Sequence, residues 1–136
     1  MVQIYLLSVL TEIVGGCLLL SEQLSEKVPS LTLFREWYQK NTAYQPFLFF
    51  FFGIIGVLSL IFPFKGIPVL GDFIPSLSNL LIGAVLFLEY YNEKGRAVSE
   101  SFQKLLTFSE QYQGAFGAIA LITGIAHFIF PGVIFI

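Results

Sequence analysis

Apolar residues along the chain are gathered into four long runs rather than alternating with polar ones. The runs extend over Val2 to Leu20, Pro46 to Phe64, Val69 to Tyr91 and Tyr112 to Ile136. A helix needs about 20 mostly apolar residues to cross the hydrocarbon layer of a bilayer. Lipid admits only helices and closed barrels, and a barrel would need strands of alternating polarity that this sequence lacks. The pattern therefore predicts four transmembrane helices.

The composition agrees with a membrane environment. Of the 136 residues, 56% are hydrophobic and 12% are charged, whereas about a quarter of the residues in soluble domains are charged. We therefore expect an all-α integral membrane protein in which residues 1–136 form one four-helix domain with the lipid bilayer as its partner. The formal net charge is −2 and acidic residues lie near most basic ones, so we expect no nucleic-acid surface.

The basic residues predict the orientation. Six of the seven lie in the first and third loops: Lys27, Arg35, Lys40, Lys94, Arg96 and Lys104. Lys65 alone lies in the second loop. Because loops rich in Lys and Arg stay in the cytoplasm, the sequence predicts a multi-pass protein of the cell membrane. Loops 21–45 and 92–111 would be cytoplasmic and both termini would lie outside.

Both of these long loops also carry apolar residues at helical spacing. The first set is Leu31, Phe34, Trp37 and Tyr38, and the second is Val98, Phe102, Leu105 and Leu106. An apolar stripe beside charged residues is typical of a short helix that lies in the membrane interface. We expect one such helix in each loop. The alternative is that these stripes are docking faces for a cytoplasmic partner.

The two halves of the chain resemble each other. At an offset of 67, Gly16 to Glu22 aligns with Gly83 to Glu89, and at an offset of 68, Gly56 to Pro63 aligns with Gly124 to Pro131. The alignment predicts two helical hairpins, one over about 1–66 and one over about 67–136. Each hairpin crosses twice, so the two would be parallel repeats about an axis near the membrane normal. Chance similarity between Leu- and Phe-rich segments is the alternative.

Three polar residues of the predicted helices form a candidate site. Glu12 lies about ten residues into the first helix, near the bilayer centre, and the repeat places Asn79 at the same depth. An ionised carboxylate costs at least about 2.5 kcal/mol there, so Glu12 should face the bundle interior. His127, on a helix that runs the other way, can approach it. The cluster either ties helices together by hydrogen bonds or undergoes reversible protonation.

Small and hydroxyl-bearing residues occupy the same helix faces. The hydroxyl-bearing residues that we expect to support the cluster are Ser8, Thr11, Ser59 and Ser76. The glycines that we expect at close helix contacts are Gly15, Gly16, Gly53, Gly56, Gly83, Gly117 and Gly124. Two further acids are expected at the membrane surfaces. Asp72 has the position of an N-cap for the third helix, at the outer surface, and Glu89 lies at the inner interface.

Sequence motifs for known chemistry are missing. The chain has no Cys/His ligand set, no phosphate-binding loop and no Ser/His/Asp arrangement, so we expect no metal, no cofactor and, more weakly, no enzymatic activity. Our first hypothesis is a subunit or homo-oligomeric module of a membrane complex, partnered by itself or by other membrane subunits. The alternative is a small transporter or proton-coupled carrier that uses Glu12. A membrane enzyme comes third.

Overall fold

A computed structural model describes residues 2–64, 72–95 and 99–131. All regular secondary structure in these residues is helical, which confirms the all-α prediction for this part of the chain. The helices are α1 (Val2–Leu24), α2 (Pro29–Lys40), α3 (Gln45–Ile61), α4 (Phe73–Glu93) and α5 (Glu100–Ile129).

Among the described residues, three helices are long and apolar enough to cross a membrane, namely α1, α4 and α5. The shorter α2 and α3 meet at an angle of 109° across a short break and together pass the same test. The lengths and composition of these helices indicate a membrane protein.

The break between α2 and α3 has a local cause. Helix α2 has Pro29 in its first turn and α3 has Pro46 in its first turn, where the missing proline N–H costs nothing. At the end of α2, Asn41 donates from its backbone and from its side chain to the Trp37 carbonyl, at 3.1 and 2.7 Å. Helix α2 lies in the first predicted loop, so the short helix expected there is present.

The prediction of a separate short helix in the third loop was wrong. Helix α5 begins at Glu100 and continues without interruption through Tyr112, so Phe102 and Leu106 lie in its first turns. No Pro or Gly interrupts the chain from Glu100 to Gln113, and helix propagation is favourable once the first turn exists. Ser99 caps that turn by accepting a hydrogen bond from the Phe102 amide.

Other sequence predictions fall outside the described residues. These are the predicted start of the third run at Val69, the predicted end of the fourth at Ile136, and the positions of Lys65, Arg96 and Val98.

Helix α1 packs mainly on α5, and α3 packs mainly on α4. A Cβ atom added at Gly16 would lie 2.8 Å from the Leu121 amide nitrogen, and one at Gly83 would lie 3.0 Å from the Phe49 carbonyl oxygen. Side chains at these positions would force the backbones apart, so both helix pairs depend on glycine for their close approach.

The remaining packing glycines behave in two ways. An added Cβ atom would meet a neighbour within 3.0 Å at Gly15, Gly56, Gly117 and Gly124. At Gly53 it would meet nothing within 4 Å, although the Gly53 backbone itself contacts Gly83. Gly53 therefore contributes to packing through its backbone and leaves a groove on the outer face of α3.

A layer of apolar side chains crosses the middle of the bundle. Leu18 and Leu19 of α1 pack with Phe52 of α3 and with Ile82 and Leu86 of α4, and all five are at most 2% exposed. This apolar layer separates a polar cluster near the start of α1 from a second polar cluster near its end.

Candidate functional site

Three ionisable side chains meet near the start of α1. Glu12 lies three turns into α1, His127 lies in the last turn of α5, and Asp72 immediately precedes α4. Because α1 and α5 run in opposite directions, the start of one meets the end of the other. The side chains of Glu12 and His127 are fully buried and that of Asp72 is 4% exposed.

The His127 imidazole lies between the two carboxylates. Its Nδ1 is 3.8 Å from Oε2 of Glu12, and its Nε2 is 3.8 Å from Oδ1 of Asp72. These distances are longer than a direct hydrogen bond, and a small side-chain movement would close either one. We name these three residues the relay cluster.

The relay cluster contains buried polar atoms without partners. Both oxygens of Glu12, both ring nitrogens of His127 and Oδ1 of nearby Asn79 have no hydrogen-bond partner within the described part of the chain. The ionisable side chains meet across gaps that a small side-chain movement would close, and this arrangement allows a proton to pass between them.

Asn79 joins this region from α4. Its Nδ2 donates to Oγ of Ser8 at 3.0 Å and to the Pro75 carbonyl at 3.2 Å. Ser8 lies four residues, or about 6 Å of helix rise, before Glu12, so Asn79 is attached to α1 about one helical turn from Glu12. The structure thus brings Glu12 and His127 together and attaches Asn79 to α1 through Ser8.

Of the four hydroxyl residues expected to support the cluster, Ser8 accepts the bond from Asn79 and the other three bond to their own helices. Thr11 donates to the Leu7 and Ser8 carbonyls, Ser59 to the Ile55 carbonyl and Ser76 to the Asp72 carbonyl. All are buried, and such bonds satisfy a hydroxyl inside a bilayer without a second helix.

Asp72 has the predicted N-cap position of α4, but its contact with His127 was not predicted. It precedes α4 as expected, but it is buried and its side chain makes no cap to the helix. Instead, its Oδ2 accepts a hydrogen bond from the Phe64 amide at 2.8 Å. Burial raises the pKa of the Asp72 carboxyl, and the hydrogen bond from Phe64 partly opposes this increase. The contact with His127 comes from tertiary packing, so helical periodicity carried no signal of it.

Tyr5 positions the imidazole and was also missed. Its hydroxyl donates to the His127 carbonyl at 2.9 Å, and its ring meets the imidazole edge-on with 4.7 Å between centroids. Its other face stacks on Phe64. The available signal was the spacing, because Tyr5, Ser8 and Glu12 share one face of α1.

A second polar cluster lies at the opposite end of the bundle, where α1 and α4 end. Arg35 of α2 donates from Nη1 and Nη2 to the two oxygens of Glu89, each at 3.1 Å, and from Nη2 to Glu22 at 3.3 Å. Gln113 of α5 donates to Glu89 at 2.7 Å. We name these four residues the Arg35 cluster. From the sequence we expected Glu89 to be a single charge at the membrane interface. The sequence gives no sign that Arg35, which lies in a predicted loop, would pair with it.

The Arg35 cluster lines a pocket of about 310 Å³. Its other lining residues are Asn92, Glu93 and Glu110. The Arg35 side chain is only 9% exposed and that of Glu89 is 11% exposed, whereas Glu22 reaches the surface. The pocket therefore joins a buried ion pair to the surface of the protein.

Neither cluster has the geometry of a metal site. In the described part of the chain, no three His, Cys, Asp or Glu side chains are grouped so that they could hold one ion. In the relay cluster, the carboxylates face different nitrogens of the ring, so they do not form a shared ligand set.

Comparison with known proteins places the chain in a family without assigning its chemistry. No curated protein and no solved structure matches the chain. A family model that describes a domain of unknown function matches residues 1–127. Since this match covers most of the chain, the protein belongs to that family.

Proposed function

We propose that this protein is a small proton-coupled carrier of the membrane in which the relay cluster takes up and releases protons. The observation that carries the proposal is the His127 imidazole, fully buried and placed 3.8 Å from a carboxylate at each ring nitrogen. An imidazole can accept a proton at one nitrogen and release one from the other, which connects two acids along a path.

The burial of ionisable groups supports this role. Glu12 and His127 are both ionisable and fully buried, and ionisable residues inside a bilayer typically mark ion or proton pathways. A neutral polar side chain such as Asn or Ser would hold helices together at a lower cost.

The proposal includes a membrane arrangement. We propose that α1, α3, α4 and α5 cross the bilayer and that α2 lies in the cytoplasmic interface, with both termini outside. Exposed Lys27 and Lys40 flank α2, as expected for the cytoplasmic side. Asp72 would then lie near the outer surface. Glu12 lies about 15 Å along α1, near the bilayer centre, so the relay cluster would connect the outside to the membrane midplane.

We also propose that the four crossing helices are two repeats. Glycine contacts between helices occur in matching pairs at the sequence offsets of 67 and 68. The contact between Gly16 and Leu121 is equivalent to the contact between Gly83 and Gly53. The contact between Gly124 and Ile13 is equivalent to the contact between Gly56 and Leu80. Gly15 and Ile82, which are equivalent in the alignment, contact each other as residues beside a two-fold axis would.

The repeat would leave the proton chemistry in one half only. The alignment pairs Glu12 with Asn79 and His127 with Ser59. Glu12 and His127 have ionisable side chains, whereas Asn79 and Ser59 do not. We infer that the second site keeps the polar packing of the repeat without its proton exchange.

Infrared difference spectroscopy on the purified protein tests the relay. A pH step between the acidic and alkaline limits at which the protein stays folded should change the carboxyl C=O band, because a relay carboxyl gains or loses its proton. Glu12→Gln should remove part of that change because glutamine keeps the size of the side chain and does not ionise. Ser59→Ala is the matched control and should retain the whole change. An identical response from the wild type and Glu12→Gln would overturn the proposal.

A subunit or homo-oligomer is the second candidate function. It is favoured by an apolar groove of about 360 Å³ on the outer face of α3 and α4, lined by residues that include Phe50, Gly53, Val57 and Leu80. A side chain from another membrane helix fits a groove of this kind. Mass measurement in native lipid tests this candidate, and a lone copy without other subunits would contradict it.

A further inference from the structure

We propose that α2 is a hinged lid over the cytoplasmic end of the bundle and that Arg35 is its latch. This inference rests on the proposed function for its orientation and for the path that the lid closes. It assigns a role to the Arg35 cluster, which the relay does not use.

Helix α2 buries few of its own residues. It packs mainly on α1, and of its twelve residues only Arg35 and Tyr38 are buried. Leu33 and Trp37, one turn apart on another face, are 67% and 47% exposed. The helix turns by 109° into α3, and the break between them is a point about which α2 can swing, held there by Gln45, which donates to the Tyr38 carbonyl at 3.4 Å.

Arg35 joins α2 to the other helices. Its guanidinium pairs with Glu89 of α4 through both oxygens and with Glu22 of α1, and Gln113 of α5 binds the same Glu89. A planar guanidinium is suited to this bidentate pairing, and an ammonium is not. One side chain therefore holds the lid against the ends of three helices.

The charges in the pocket make its closure depend on Arg35. Four carboxylates line the pocket, those of Glu22, Glu89, Glu93 and Glu110, and Arg35 is the only base among the described lining residues. Without the guanidinium these acids would repel each other and draw in water. Release of Arg35 would thus favour an open, hydrated pocket.

Tyr38 connects the lid to the apolar layer. It is 2% exposed and packs in the same cluster as Leu18, Leu19 and Leu86. This layer lies between the pocket and Glu12, which are separated by about ten residues or 15 Å along α1. Lifting α2 would withdraw Tyr38 from the layer and thin the barrier between the cytoplasm and Glu12.

Hydrogen exchange of the full chain in lipid nanodiscs, followed by mass spectrometry, tests the latch. In Arg35→Lys, which keeps the charge and loses the bidentate geometry, amides of α2 should exchange about tenfold faster, while those of α1 and α4 keep their rates. Arg35→Gln should have a larger effect on α2. Lys40→Gln is the matched control, because the Lys40 pair with Glu36 is exposed on both sides, and it should leave α2 unchanged.

Two outcomes would overturn the lid. In the first, α2 exchanges at the wild-type rate in Arg35→Gln, so Arg35 is no latch. In the second, all helices accelerate together in Arg35→Lys, so the cluster stabilises the whole bundle rather than one hinged element.

A further readout separates the lid from the relay. The carboxyl response of Glu12 to a pH step should be faster in Arg35→Lys than in the wild type, because the lid opens more often. A local loosening of α2 without a faster response would reject the lid as the closure of this path. A wild-type protein whose Glu12 never responds would reject the relay, while the exchange rates of α2 would still report on the latch.

Discussion

At the scale of single residues, the relay cluster is unusual because three buried ionisable side chains lie close together. Sequence reasoning brought Glu12 and His127 together from the opposite directions of their helices, and the structure places them 3.8 Å apart. It could not place Asp72 beside them, because helical periodicity gives no contact for a residue that precedes its helix. Arg35 was equally hidden, since a charged residue in a loop usually lies in solvent.

Replacing Glu12 with leucine should not destabilise the protein. Its oxygens make no direct hydrogen bond in the described structure, so an apolar side chain of similar size removes a buried polar group and loses only the 3.8 Å contact with His127. We expect the free energy of unfolding of Glu12→Leu to equal or exceed that of the wild type, measured by denaturant titration in detergent. A loss of more than about 1 kcal/mol, the contribution of one hydrogen bond, would show that Glu12 ties helices together.

Asp72 should make stability depend on pH. Its folded-state pKa is raised by burial, so the folded state holds the proton more tightly than the unfolded chain does. Stability from this group is therefore fully present below the unfolded pKa, near 3.8, and decreases as the pH rises through the folded pKa. Thermal unfolding across this range should show the decrease in the wild type and a smaller one in Asp72→Asn. A parallel pH dependence of the two proteins would contradict this assignment.

Tyr5→Phe should test how the imidazole is positioned. The substitution removes the hydrogen bond to the His127 carbonyl and keeps the ring contact. We expect a decrease of about 0.5 to 1.5 kcal/mol in the free energy of unfolding, together with a shifted His127 resonance in NMR spectra. An unshifted resonance would mean that Tyr5 does not control the orientation of the ring.

At the scale of helices, close backbone contact explains the glycine pattern. A Cβ atom at Gly16 would lie 2.8 and 2.9 Å from backbone atoms of α5, whereas one at Gly53 would meet no atom within 4 Å. The apolar runs predicted the helices because a bilayer requires such runs. The start of α5 was not predictable in this way, because its first turns are as polar as a loop and are helical through propagation.

Two matched alanine substitutions test this packing. We expect Gly16→Ala to lower the free energy of unfolding by about 1 to 3 kcal/mol, as overpacking of rigid contacts does. Gly53→Ala, the control on α3, should have no such cost, since its methyl group would enter the open groove. Similar losses in both variants, measured in the same detergent, would contradict this account, because alanine has the higher helix propensity and the structure shows no close contact at Gly53 to make its substitution costly.

At the scale of the whole molecule, two polar clusters lie on opposite sides of an apolar layer. The relay cluster would face the outside and the Arg35 cluster the cytoplasm, with Leu18, Leu19 and Ile82 between them. This arrangement suits a carrier, in which the two sides must not be open together. The sequence brought Glu12 and His127 to attention because they stand out in apolar helices. It did not predict the Arg35 cluster, whose charges resemble those of ordinary loops.

The most direct test uses the fact that His127 is the only histidine in the chain. Labelling with ¹⁵N-histidine gives NMR signals from only the two ring nitrogens of this imidazole. Their chemical shifts report which nitrogen carries the proton at each pH. If the imidazole connects Glu12 to Asp72, both Glu12→Gln and Asp72→Asn should change the titration of the ring, while Ser59→Ala leaves it unchanged. Ring nitrogens that respond to neither carboxylate would contradict the relay.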